Sequence, residues 1–164
     1  MDNSIVKRFS RASIVLGVLT WLWVLVSSVT APQGQEDPQP SREPAVFKAQ
    51  LRQASLLGRR TIREIQALPV DDSVPVDPQV RYNARQVYVL LRAGRWGMEL
   101  AMQRETNFHD PMLKLAHKRV DQAWNLARTP VDNTALPRAE YVSTSVRDLT
   151  SALRLIDQAL MIIP

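Results

Sequence analysis

Apolar residues recur at steps of three and four along most of the chain, and prolines interrupt them at intervals. That period puts apolar side chains on one stripe of an α-helix, whereas strict alternation would mark a strand. The first stripe, Phe47, Leu51, Ala54, Gly58, Ile62 and Ile65, predicts a helix from Pro44 to Leu68, ended by Pro69. The second, Val80, Ala84, Val87, Leu91, Gly94, Met98 and Ala101, starts behind Asp77-Pro78. An aspartate there accepts from the free amides of a first turn, and a proline has no amide to leave unsatisfied. The same pair at Asp110-Pro111 opens a third helix, with Met112, Leu115 or Ala116, Val120, Ala123 and Leu126 or Ala127 inward, ending before Pro130. The fourth runs from about Pro137 to Ile163 and carries Val142, Val146, Leu149, Leu153, Ile156, Leu160 and Ile163. Strand signals are nearly absent, since Val70 to Val76 is short and broken by proline.

Stripes that alternate steps of four and three suit helices crossing at small angles, and short connections make sequential helices antiparallel. The expected fold class is all-α, with an up-down-up-down four-helix bundle over residues 45–164. Gly58, Ala84, Gly94 and Ala101 are expected to let the first two helices approach closely.

Ahead of the bundle the pattern changes. From Ala12 to Ala31 there are 20 consecutive uncharged residues, among them Ile14, Leu16, Leu19, Trp21, Leu22, Trp23 and Leu25 as the membrane-embedded set. A helix of that length covers about 30 Å, the thickness of a bilayer's hydrocarbon core. Residues 1–11 contain Lys7, Arg8 and Arg11, whereas no basic residue follows the segment until Arg42. The positive-inside rule therefore predicts a cytoplasmic N-terminus and a single-pass helix at 12–31, with the remainder on the periplasmic, exported side of the cell's inner membrane. The same segment also fits a cleaved signal. Val29-Thr30-Ala31 satisfies the small-residue rule, Pro32 would impede cleavage there, and cleavage after Ser28 is the alternative. Residues 32–44, with Pro32, Pro38, Pro40 and Pro44 among polar residues, read as an extended proline-rich linker.

Composition narrows the chemistry. The net charge is +5, from dispersed basic residues and not from a Lys/Arg block, which argues against nucleic acid as partner. Cysteine is absent, which excludes disulfides, thiolate metal sites and a lipidated cysteine. His109 and His117 read as a helix-end polar residue and a solvated one, and neither Glu99 nor Glu105 has a histidine three residues on, as a carboxylate-bridged metal site in a bundle would need. Met98, Met102 and Met112 read as core filler in preference to haem ligands. No cofactor, metal, small-molecule substrate or catalytic set is expected, and an enzyme is the least favoured class.

The polar feature with most content is a pair of basic rows. Lys48, Arg52, Arg59 and Arg63 follow one heptad line beside the first core stripe, and Arg81, Arg85, Arg92 and Arg95 follow another beside the second. If the rows adjoin, they form one electropositive face for an acidic protein surface or anionic headgroups. Trp96, next to Arg92 and Arg95, and Trp124 are candidate anchors for such a contact.

In its helix order after a leader, down to a last helix ending Leu160-Met161-Ile162-Ile163-Pro164, the exported part resembles the extrinsic four-helix subunits of photosynthetic complexes, the PsbQ-like proteins. The likeness is one of architecture. It implies a non-enzymatic accessory subunit that docks on and stabilises a larger photosynthetic or respiratory membrane complex. The alternative is a soluble periplasmic helical binding module or chaperone released by signal cleavage.

Overall fold

A computed structural model describes residue 38 and residues 41–104 and 110–163. The predicted hydrophobic helix, with Ile14, Leu16, Leu19, Trp21, Leu22, Trp23 and Leu25, lies outside the described residues, as do Glu105 and His109. Among the described residues no helix is long and apolar enough to cross a membrane.

Four long helices follow in order: α1 (Pro44–Gln66), α2 (Pro78–Met102), α3 (Pro111–Leu126) and, after a four-residue helical turn α4 (Thr129–Asp132), α5 (Arg138–Ile162). No strand occurs among the described residues, so the fold is all-α. The starts follow the cap-then-proline logic. The Asp77 side chain accepts from the Gln79 amide at 2.8 Å, and Asp110 accepts from Met112 and Leu113 at 2.8 and 3.2 Å. Pro130, expected only as a stop, sits in the first turn of α4, where its fixed φ favours a helix. α1 closes at Gln66, two residues before the expected end, with Ala67 as its cap.

Helix pairing can be read from the contacts. Phe47 and Leu51 of α1 meet Gly97 and Gly94 of α2, and Glu64 at the other end of α1 accepts from Asn83 at 2.7 Å. Arg95 and Glu99 of α2 face Asp121 and His117 of α3. Arg119 of α3 donates to the Gln158 carbonyl of α5, and Ser55 and Gly58 of α1 meet Asp157 and Leu153 of α5. In the α1–α2, α2–α3 and α1–α5 pairs residue numbers fall on one helix as they rise on the other, so these neighbours are antiparallel and α5 closes back on α1. The core between them includes Phe47, Leu51, Ile65, Val87, Leu91, Met98, Val120, Leu149 and Ile156.

Three expectations about packing change. Gly58 serves the α1–α5 contact and not the approach of α1 to α2. Gly97 joins Gly94 at the α1–α2 contact: a Cβ on it would lie 2.6 Å from the Ser41 carbonyl oxygen. Ser41, placed in the linker by composition, therefore packs against the bundle, and Glu43 pairs with Arg104 at 3.3 Å. On α3 the inward residues are Leu113, Ala116, Val120, Ala123 and Ala127, while Met112 and Leu115 are exposed.

Candidate functional site

The two basic rows do not adjoin. Arg59 donates to Asp157 of α5 at 2.7 Å, so the row of Lys48, Arg52, Arg59 and Arg63 borders α5. Arg95 donates to Asp121 of α3 at 2.5 Å, so the row of Arg81, Arg85, Arg92 and Arg95 borders α3. The rows thus occupy opposite flanks of the α1–α2 pair, and the single face expected from their joining is replaced by two.

The α2–α3 flank is largely closed on itself at its centre. Arg95 also reaches Glu99 at 3.0 Å and lies over the Trp124 ring, 5.1 Å from its centroid. Trp124 in turn stacks on Tyr88 with ring centroids 5.5 Å apart. His117, expected to be solvated, is mostly covered, with Nε2 3.3 Å from Glu99 Oε1 and too poorly aligned for a hydrogen bond. Arg95 and Trp124 are therefore structural members of the α2–α3 contact. Trp96 is 52% exposed on the outside of α2, and Arg81 and Arg85 are exposed along the same helix.

The α1–α5 flank is more open. Arg59, Ile62, Leu153, Arg154, Asp157 and Met161 line a groove of about 510 Å³ between the helices. Its floor is apolar, and Met161 at 84% and Leu56 at 71% exposure stand clear of the core. Asp157 is the acid in this lining, and it is already bound by Ser55 at 3.1 Å and Arg59 at 2.7 Å. Arg52, Arg63 and Arg154 make no ion pair among the described residues. Comparison with protein-family models, with curated proteins and with solved structures finds no significant match. The expected resemblance to PsbQ-like subunits therefore gains no support from these comparisons.

Helix spacing marked α1's row as basic, but the groove beside it was missed, because its other wall comes from Arg154 and Met161 on α5. The signal available was the four-residue step from Thr150 to Arg154 and the exposed Met161 one turn before the chain's end. Among the described residues no group of three or more acidic or histidine side chains is placed to hold a metal ion. Burial raises the Tyr141 hydroxyl above its ordinary pKa, against the opposing pull of Arg81 and Arg138 nearby.

Proposed function

We propose that this protein is a non-enzymatic, membrane-anchored accessory subunit whose exported bundle docks through the α1–α5 groove onto an acidic surface of a larger membrane protein complex. The observation that carries the reading is the groove itself: Ile62, Leu153 and Met161 flanked by Arg59 and Arg154, with Arg154 making no ion pair among the described residues and the exposed Arg52 and Arg63 standing on the same row of α1 as Arg59. Eighteen of the 21 basic residues but 13 of the 16 acidic ones follow residue 37, so the whole net positive charge belongs to the bundle and its approach. An apolar centre inside a charged rim is the layout of protein interfaces, in which the centre supplies affinity and the rim supplies steering and register. The uncharged run at 12–31 supplies the tether, and holding the bundle at the membrane raises its effective concentration near a membrane partner.

The test is charge reversal in the full chain. The triple variant R52E/R63E/R154E should lose co-migration with its assembly on a native gel, while R85E/R92E on the opposite flank retains it and both keep wild-type helicity. Retention of the assembly by the triple variant contradicts docking through this groove. Arg95 is unsuited to the test, since Arg95→Glu would set a carboxylate against Glu99 and Asp121 inside the fold.

A further inference from the structure

At one end of the bundle the α1–α2 connection meets the segment ahead of α5 around a cavity of about 310 Å³. That volume lies at the low end of ligand pockets, about 300–1,000 Å³, which suits a small solute and excludes a folded segment. Arg81, Arg138 and Tyr141 line it beside Asp72, with Val74 and Leu136 as apolar wall.

Arg138 is 6% exposed, and taking a guanidinium out of water is strongly unfavourable unless it is paired. Its pairing is incomplete. The backbone amide of Arg138 donates to Asp72, and Nη2 donates to the Val74 carbonyl, while Nη1 is buried without an acceptor. Among the described residues its guanidinium makes no ion pair. Asp72 directs an oxygen to the amide, and Asp71 is held below the ordinary carboxylate pKa first by hydrogen bonds from Ser73 and only last by Arg138. Arg81 is exposed and likewise makes no ion pair among the described residues. Both cations act on Tyr141, whose hydroxyl donates to the Pro130 carbonyl at 3.1 Å, so two guanidinium groups bear on one small space.

We propose that this cavity binds a small oxyanion, a phosphate or carboxylate group, between the guanidinium groups of Arg138 and Arg81. Water brings no charge to the two guanidinium groups, whereas an oxyanion supplies an acceptor and a countercharge together, and the carboxylates of Asp71 and Asp72 are already engaged by Ser73 and the Arg138 amide. The site is independent of the docking groove, since it shares no residue with the α1–α5 lining.

Isothermal titration of the full chain with inorganic phosphate, and separately with acetate, at fixed ionic strength set with chloride, tests this. Saturable binding of at least one anion is expected, and the tighter of the two identifies the group the site is built for. Arg81→Gln, at an exposed position that leaves the fold intact, should weaken binding at least tenfold. Arg138→Lys keeps the charge but loses the forked donors and should weaken it at least as much. Absence of saturation by either anion, or unchanged binding in R81Q, would overturn the proposal.

Discussion

Close approach at Gly58 and at Gly97 meets different kinds of neighbour, and the difference predicts opposite tolerance. A Cβ on Gly58 would lie 2.7 Å from Leu153 Cδ2, the far end of a side chain that can rotate away. On Gly97 it would lie 2.6 Å from the Ser41 carbonyl oxygen, and backbone pinned beside the α1 start cannot yield so easily. Gly97→Ala is therefore expected to cost about 1–3 kcal/mol, as overpacking does. Gly58→Ala should fall near neutral, because a gain of roughly 0.5–1 kcal/mol in helix propensity offsets the repacking. Urea unfolding of the two variants checks the order, and an equal loss in both would contradict it. Core positions were legible in the sequence to this same depth. The α2 stripe is buried throughout, from Val80 to Ala101. On α1, however, Thr61 is fully buried, whereas Ile62 is only partly so. Its hydroxyl donates to the Leu57 carbonyl at 2.9 Å, which lets a polar residue enter the core at little cost and hides it from a hydrophobicity pattern.

Helix starts were readable where the cap is adjacent in sequence, as at Asp77 and Asp110, and unreadable where it is distant. α5 has no capping side chain of its own at Pro137. Its first amide, on Arg138, is taken by Asp72 from the α1–α2 connection, 66 residues away in the chain. A long-range cap of this kind has no local signature, since nothing near Pro137 announces it. It also joins two connections, so Asp72→Ala should remove a cap worth about 0.5–2 kcal/mol and free the α1–α2 connection as well. Amide exchange at Arg138 should accelerate in D72A and stay at the wild-type rate in Asp77→Ala, whose effect is confined to the start of α2. Unchanged exchange in D72A would show that the contact does not protect the helix end. The helical turn at Pro130 was missed for a related reason: a proline that closes one helix also suits the first turn of the next, and only the path of the chain decides which.

At the scale of the whole molecule, basic rows on α1 and α2 were legible as helix-face patterns, but their mutual placement was not. Each helix presents two flanks, and the order of helices around the bundle decides which flank meets which neighbour. Because α5 closes on α1 and α3 packs on α2, the rows were carried apart, and Arg95 was drawn into ion pairs with Glu99 and Asp121. The groove that the proposed docking uses arises only when α5 brings Arg154 and Met161 beside α1's row. The proposed function joins a tether expected at residues 12–31 to a docking face on the bundle, and docking at the membrane depends on that tether. Intact mass of the native protein from a gently solubilised membrane fraction, run beside a native gel of the same fraction, tests it most directly. A retained anchor gives a mass that includes residues 12–31 and migration in a large assembly; a mass beginning after Ser28 or Ala31, in a free monomer, would rule the anchor out and leave a released periplasmic binding module.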